Sequence, residues 1–214
     1  MSHAPAVIDI SLPLTPATPP VPGDPAFVRR LFLSHGADGC EAAALALSAH
    51  SGTHLDFPAH FFPNGRRAGD YPPEAFVRPA VVIDAGQAMS LEPDILSTLP
   101  RAPGEAILFR TTNSATRRFA GPAFPECFAA LTADLAHTLV RHHAGLVGLD
   151  ALSVEPFTDP ASPVHHILLG AGILLLEGLV LDAAPAGRYT LVCLPLAMPE
   201  AEASPVRAIL LPPR

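Results

Sequence analysis

Residues 50–60 constrain this chain more than any other stretch, because they hold three histidines and an aspartate within eleven positions. The stretch contributes His50, His54, Asp56 and His60, although the whole chain of 214 residues has only 10 histidines. Imidazole and carboxylate groups together suit zinc, manganese or iron, whereas calcium takes oxygen ligands and structural zinc sites favour thiolates. A packed or hydrogen-bonded role would explain any one of these histidines, but the group of four indicates a metal site.

Neither a regular helix nor a straight strand would bring these side chains together. In a helix, Gly52 and Pro58 are unfavourable and Asp56 would point away from His54. A straight strand rises about 3.3 Å per residue, which would separate the first two histidines by roughly 13 Å. The chain therefore has to turn at residues 51–53, where glycine permits the necessary dihedral angles. We predict a strand that ends here and runs into a tight loop whose side chains gather inward.

A second stretch, residues 162–178, contains a carboxylate and two adjacent histidines. Its opening Ser-Pro pair favours a helix start, two glycines favour the helix end, and four aliphatic residues then predict a strand that carries Glu177. A carboxylate directly after buried aliphatic residues is costly unless it is paired or binds a metal. The turn at the glycines would bring Glu177 back beside the helix that bears His165 and His166.

The pattern H-x-G-T-H-x-D-x-P-x-H resembles the signature of the cyclase-like metal-dependent hydrolases, a family that includes bacterial kynurenine formamidases and isatin hydrolases. The resemblance extends from Asp9 to Leu210. It implies a divalent-metal centre, with two Zn²⁺ ions or alternatively Mn²⁺, held by five side chains: His50, His54, Asp56, His165 and Glu177.

The resemblance also implies a division of roles within this centre. His50, His54 and Asp56 would hold one ion, and Asp56 would help His165 and Glu177 to hold or bridge the second. His165 has the family's twelve-residue spacing to the glutamate. Its neighbour His166, about 100° away on a helix, remains the alternative ligand.

His60 is left to move protons, taking one from the attacking water and giving one to the leaving nitrogen. The ions would ionise that water and polarise the carbonyl. The implied activity is hydrolysis of a small-molecule amide, with N-formyl-L-kynurenine as the first choice and ring-opening of a cyclic amide such as isatin as the alternative. A non-catalytic metal-binding protein is a further alternative, which the extra basic residue disfavours. The chain lacks the Gly-x-Ser-x-Gly and His-Glu-x-x-His motifs of serine hydrolases and zincins.

Val21 departs from the pattern of the kynurenine formamidases. The residue before the Pro-Gly-Asp turn is typically an aromatic that packs on the substrate in those enzymes, and this chain has no tryptophan at all. We therefore expect Phe57, Phe61 and Phe62, which flank the motif, to be candidate replacement surfaces for an aryl substrate, beside Val21 itself.

Strand-like and helical patterns alternate along the chain and predict an α/β fold. The predicted strands are residues 7–14, 27–33, 42–48, 79–84, 106–111, 146–150, 173–176, 189–195 and 203–210, with the second and third paired and the third delivering His50 at its end. The predicted helices are residues 92–99, a longer helix that starts at Pro125, and the helix that starts at Ser162. The resemblance adds a single domain over residues 1–214, with a mixed sheet or barrel-like β centre and outer helices, of the swivelling β/β/α type.

Composition excludes several other classes of protein. A formal charge of -7 with 13 scattered lysines and arginines disfavours a nucleic-acid surface. No apolar run reaches the roughly 18 residues of a membrane span, and the first residues do not resemble a secretory signal. The odd, widely spaced cysteines, Cys40, Cys127 and Cys193, argue against a disulfide framework and suit a reducing cytoplasm. The family resemblance further implies a homodimer.

Overall fold

The computed structural model of the protein describes residues 7–98, 102–157 and 159–212. The strands of this part of the chain are β1 (Ile8–Asp9), β2 (Val28–Leu33), β3 (Ala42–Ala46), β4 (His54–Asp56), β5 (Val77–Asp84), β6 (Ser90–Leu91), β7 (Ala106–Arg110), β8 (Ala130–Leu131), β9 (Leu146–Leu149), β10 (Leu174–Glu177), β11 (Gly187–Val192), β12 (Ala203–Pro205) and β13 (Ile209–Leu211). The α-helices are α1 (His35–Asp38), α2 (Thr112–Ala115), α3 (Ala133–Arg141) and α4 (Pro163–Gly170). Single 3₁₀ turns include Pro58–His60 and Pro93–Thr98.

Nine of these strands form one curled, half-barrel sheet in the order β1-β13-β11-β5-β7-β9-β10-β4-β12. The central strands β5, β7, β9 and β10 are parallel, and the flanking strands pair antiparallel. Strands β9 and β10 are buried along their whole length, as expected for parallel strands covered on both faces. The predicted α/β class and the mixed sheet are confirmed.

The sheet separates two hydrophobic cores. On one face, Val81 and Ile83 of β5 pack with side chains of α3 and α4, for example Leu139 and Leu168. On the other face, alternate residues such as Val82 pack with side chains from β4, β11 and β13, which belong to the same sheet. The second core therefore fills the inside of the curl. No helix in the described part of the chain has the length and apolar character that a membrane crossing needs.

The long helix predicted from Pro125 begins later than its apolar spacing suggested. Helix α3 starts after Thr132, whose hydroxyl accepts a hydrogen bond from the Leu135 amide at 3.2 Å. The preceding residues are extended, because β8 pairs with β6 and the Asn113 side chain hydrogen-bonds both backbone groups of Ala129 at 3.0 Å. Tertiary contacts override the helical spacing there.

Three other predicted elements are shorter or divided. The strand predicted at residues 7–14 contains only β1, because Ser11 then forms just an isolated bridge. The helix predicted at residues 92–99 is a 3₁₀ turn, Pro93–Thr98, and residue 99 lies outside the described part of the chain. The strand predicted at residues 203–210 is divided into β12, which pairs with β4, and β13, which pairs with β1 and β11.

The predicted pairing of the second and third strands is confirmed, but the third strand ends before His50. Strands β2 and β3 form a separate two-stranded hairpin. Four of its large apolar side chains are about half exposed or more: Val28 at 51%, Leu31 at 48%, Phe32 at 62% and Leu45 at 60%. Strand β3 ends at Ala46, so it does not deliver His50 directly.

Two glycine turns meet at the end of β10. Gly178 and Gly52 both have positive φ angles, +69° and +64°. The Gly178 carbonyl accepts a hydrogen bond from the Thr53 hydroxyl at 2.6 Å, and a Cβ at Gly178 would lie 2.3 Å from the Gly52 carbonyl oxygen. Only glycine permits this close approach, which brings the turn before β4 against the end of β10.

We expect Gly178→Ala to lower the free energy of unfolding more than Gly172→Ala does. Both glycines have positive φ, +69° and +77°, so each substitution carries the cost of a left-handed residue, about 1–2 kcal/mol. The methyl at 172 would meet nothing within 4 Å, whereas the methyl at 178 would force a backbone shift that costs about 1–3 kcal/mol more. Urea denaturation measures both losses. Equal losses would show that the contact between the two turns does not matter.

Candidate metal centre

Five segments of the chain bring six titratable side chains to one cavity. His50 comes from the turn before β4, His54 and Asp56 from β4, His60 from the 3₁₀ turn Pro58–His60, His165 from α4, and Glu177 from the end of β10. Strands β4 and β10 are antiparallel neighbours in which His54 lies opposite Glu177. The sheet pairing therefore joins the two stretches singled out in the sequence.

Within the motif, the order of turn and strand is the reverse of the predicted order. The turn comes first, with Gly52 at φ +64°, and the strand β4 follows inside the motif. His54 and Asp56 point to the same side because they are two residues apart on a strand, while Leu55 between them is fully buried in the core inside the curl. The predicted turn at residues 51–53 is confirmed, whereas the strand predicted before it ends at Ala46 and does not reach His50.

The nitrogen and carboxylate oxygen atoms of these residues lie within a few ångströms of one another. His54 Nε2 is 3.3 Å from Glu177 Oε2 and 3.4 Å from Asp56 Oδ1. His165 Nε2 is 3.3 Å from Glu177 Oε1, and His50 Nδ1 is 2.9 Å from Asp56 Oδ1. Several donor atoms thus converge from different directions, as the ligands of a metal ion do.

Two of the central side chains have buried polar atoms without hydrogen-bond partners. His54 Nε2 and both carboxylate oxygens of Asp56 lack a partner with hydrogen-bond geometry, although both residues are only 1% exposed. Buried polar atoms are nearly always satisfied, and leaving a charged one unpaired is costly. A divalent cation would satisfy all three atoms, and the imidazole and carboxylate donors suit zinc or manganese. The side chains therefore fit a metal ion.

Two groups of side chains have the spacing of a metal site. One is His54, Asp56 and Glu177, and the other is His50, Asp56 and His60, with the ligand atoms of each group within 4.8 Å of one another. Asp56 belongs to both groups, in agreement with a shared carboxylate. The second group contains His60, which the resemblance assigns to proton transfer, so the geometry alone permits either role for it.

The mutual electrostatics of the cluster shift its pKa values strongly. Burial by itself disfavours a charged imidazole, yet the carboxylates of Asp56 and Glu177 raise the pKa of His54 to about 9. Burial also lowers the pKa of His165, but the carboxylates of Glu155, Glu177 and Asp56 outweigh it and raise the pKa to about 10. Burial opposes ionisation of Glu177 and Asp56, but the histidines hold the pKa of both carboxyls below the usual range. A metal ion would replace the protons that otherwise balance these carboxylates.

His60 has the opposite shift. Burial lowers the pKa of His60 below its ordinary value, and His50 and His165 act in the same direction against the carboxylate of Asp56. Its ring lies 4.2 Å from that of His50, centroid to centroid. At neutral pH it is therefore an uncharged imidazole at the edge of the cluster, able to accept a proton.

The cavity beside the cluster has a volume of about 370 Å³. Val21 and Phe61 line it, and the Phe61 ring stacks on His165 with centroids 4.8 Å apart. Phe57 is instead fully buried and packs against Tyr71 in the core inside the curl, because the strand alternation directs it away from the site.

Phe62 and His166 lie outside the cavity. Phe62 lines a neighbouring groove with Gly170. His166 is exposed, with its Nδ1 3.0 Å from the Ser162 carbonyl, whereas the adjacent His165 is 7% exposed and lines the cavity. The difference of about 100° between helix neighbours separates the two histidines as the sequence suggested.

Several residues that line the site were missed by the sequence analysis, among them Asp24, Asp159, Glu155 and Phe157. Glu155 is 3% exposed and contacts His165, and Phe157 is 50% exposed and lines the cavity. Glu155 carried a detectable signal, since it follows the apolar residues Leu152 and Val154 just as Glu177 follows its aliphatic strand. Phe157 carried none, because its position depends on how the segment after β9 folds over the site.

Comparisons with known proteins agree with this geometry. Residues 8–156 match the family model described as a putative cyclase. A kynurenine formamidase from Salinibacter ruber is 38% identical over 208 residues, which cover 96% of this chain and 97% of that protein.

Two solved structures have the same fold over nearly their whole length. Isatin hydrolase A from Labrenzia aggregata, bound to benzyl benzoate, superposes with a TM-score of 0.84 at 26% identity and covers 98% of this chain and 94% of its own. A predicted metal-dependent hydrolase from Bacillus stearothermophilus superposes with a TM-score of 0.82 at 28% identity and covers 97% of this chain and 98% of its own. The match of the family model, the full-length relative and these folds together establish that the chain belongs to the cyclase family.

Proposed function

We propose that this protein is a metal-dependent amidohydrolase that converts N-formyl-L-kynurenine to L-kynurenine and formate. The observation that carries the proposal is the cluster of buried nitrogen and oxygen atoms of His54 and Asp56 that lack a hydrogen-bond partner at the wall of an open cavity. A full-length relative named kynurenine formamidase supports the choice of substrate.

The proposed ligands are His50, His54, Asp56, His165 and Glu177. Asp56 is their common member, since its carboxylate oxygens face histidines from three segments of the chain, at 2.9 Å from His50, 3.4 Å from His54 and 3.9 Å from His165. We propose two Zn²⁺ ions, with Mn²⁺ as the alternative. When bound, a divalent ion lowers the pKa of a coordinated water to about 7 and polarises the carbonyl under attack.

We assign proton transfer to His60. An imidazole has to be unprotonated to act as a general base, and the lowered pKa of His60 leaves its imidazole neutral at pH 7. It lies at the edge of the cavity beside His50, and it can take a proton from the attacking water and return it to the leaving nitrogen. Because its pKa lies below the ordinary value of a histidine, activity should fall only when the pH drops into the acidic range.

His60→Ala and His54→Ala should fail in different ways. The His60 variant is expected to keep its metal and to lose about 10²- to 10⁴-fold in rate, the range of general acid–base catalysis. The His54 variant should lose metal as well, because its Nε2 belongs to the buried cluster. Metal content of the purified variants and kcat are measured side by side. A metal-free His60 variant would make His60 a ligand, together with His50 and Asp56.

The cavity suits a substrate that has both an aryl ring and an ammonium group. Phe61 and Phe157 supply aromatic surface, although Val21 stands where a larger ring would pack. The carboxylates of Asp24 and Asp159 also line the cavity, and none of its described lining residues is a lysine or arginine. Such a wall favours the α-ammonium of N-formyl-L-kynurenine, whose α-carboxylate would then face away from Asp24 and Asp159. Isatin, the alternative suggested by the likeness to isatin hydrolase A, has no cationic group to use it.

We expect metal-loaded protein to hydrolyse N-formyl-L-kynurenine with higher kcat/KM than isatin, and protein stripped by a strong chelator to hydrolyse neither. Val21→Trp adds an aromatic face, and one such contact is worth about 0.5–1.5 kcal/mol, or roughly 2- to 12-fold in efficiency on the formamide. Steady-state kinetics on both substrates measure these effects. The formamidase assignment would be wrong if wild type and Val21→Trp both hydrolyse isatin better than the formamide and the substitution leaves formamide turnover unchanged. Full activity of the metal-free protein would contradict the proposed metal-dependent mechanism.

We further propose that the protein is a cytoplasmic homodimer. The described cysteines are free, with Cys40 and Cys127 exposed, which suits a reducing compartment. The hairpin of β2 and β3 stands apart from the main sheet with both strands exposed, and a two-stranded hairpin alone is only marginally stable in water. A second copy of the chain would cover its apolar side chains.

Phe32→Ser should weaken the dimer, because Phe32 is 62% exposed on the hairpin. Met89→Ser is the matched control, since Met89 is an exposed apolar residue, 45% accessible, that lies away from the hairpin. Sedimentation velocity over a range of concentrations measures the association. A monomeric wild type, or equal weakening by both substitutions, would contradict this assembly.

A further inference from the structure

Among the described residues, the carboxylate of Glu155 makes its contacts with one segment, the start of helix α4. Its carboxylate is 3% exposed, and its ion pair among the described residues is with His165. Oε2 accepts a hydrogen bond from the Val164 amide at 2.8 Å, and Oε1 accepts one from the His165 amide at 3.2 Å. The same Oε1 contacts Nδ1 of the His165 ring. One carboxylate therefore holds both the backbone and the side chain of His165.

Glu155 also caps the start of helix α4, where the sequence predicted Ser162 as the first residue of the helix. Ser162 precedes α4, but its φ is +43° and its side chain makes no capping hydrogen bond. The free amides at the helix start instead donate to Glu155. A negative charge is favourable at this end of a helix. The cap is thus a distant carboxylate that reaches the helix from the segment after β9.

The contact with the ring decides which nitrogen of His165 faces the cluster. An ionised carboxylate can only accept a hydrogen bond, so Nδ1 of His165 carries a proton. Nε2, on the opposite side of the ring, then faces the cluster. Nε2 lies 3.3 Å from Glu177 Oε1 and 3.9 Å from Asp56 Oδ2. His54 shows the same arrangement with a neutral partner, since its Nδ1 lies 3.0 Å from the Gly52 carbonyl oxygen. A charged partner makes an imidazole a more basic ligand than a carbonyl does.

We propose that Glu155 is a positioning residue of the metal centre, which orients His165 and selects the tautomer that presents Nε2 to the ion. This inference rests on the proposed function, because it takes His165 as a ligand. Glu155 need not touch the ion or the substrate for this role. Its carboxylate acts through His165 alone.

The experiment compares the zinc affinity of wild type, Glu155→Gln and Thr132→Ala by competition with a chromophoric chelator. Glutamine keeps the size of the side chain and removes its charge, and loss of such a partner typically weakens metal binding 10- to 100-fold. Thr132 caps helix α3 through the Leu135 amide and is the matched control for a lost helix cap. We expect both variants to lose thermal stability and only Glu155→Gln to lose zinc affinity. Equal zinc affinity in all three proteins would reduce Glu155 to a helix cap and overturn the inference.

The double variant Glu155→Gln/His165→Ala tests whether Glu155 acts through His165. Effects on one path are not additive, so Glu155→Gln should weaken zinc binding no further once His165 is absent. An additional 10- to 100-fold loss in that background would contradict the inference. Failure of the proposed function gives a different result, since wild type itself would then bind no zinc in the competition assay.

Discussion

The buried negative charge of Asp56 and Glu177 is the constraint on which the rest of the structure depends. Their side chains are 1% and 4% exposed, and the ion partners of both among the described residues are histidines. Removing carboxylates from water is costly unless positive charge compensates them. In the absence of an ion, protons on His54 and His165 supply that charge, and the pKa of these groups is raised to about 9 and 10 as a result. A metal ion bound as proposed would replace these protons.

Strand geometry is what makes this burial feasible. Strand β4 lies between β10 and β12, and its alternation sends Leu55 into the core while His54 and Asp56 face the site. Its antiparallel register with β10 places His54 opposite Glu177. Because the sheet satisfies the backbone of both strands, the proposed metal ligands on β4 and β10 project from rigid elements, and the glycine turns at their ends set how closely the strands approach.

The substrate side of the cavity has a different structural basis. Val21 and Asp24 lie at the base of the separate hairpin, where Asp24 accepts a hydrogen bond from the Ser48 hydroxyl at 2.5 Å. Phe157 lies in the segment between β9 and α4. Neither of these two segments belongs to a strand of the main sheet. Substitutions there can therefore change which amide is accepted while the cluster on β4 and β10 is preserved. This separation explains how one fold accommodates relatives named for different substrates.

The sequence by itself determined the α/β class, most strand positions, the turn at Gly52 and the two stretches that meet at the site. These properties depend on local periodicity, glycine dihedral angles and the cost of an unpaired carboxylate, all of which act over a few residues. Only the tertiary structure decided the pairing of β4 with β10, the late start of α3 and the contact of Glu155 with His165. Each of these depends on contacts between separate segments of the chain, which local periodicity does not specify and whose energies outweigh local preference.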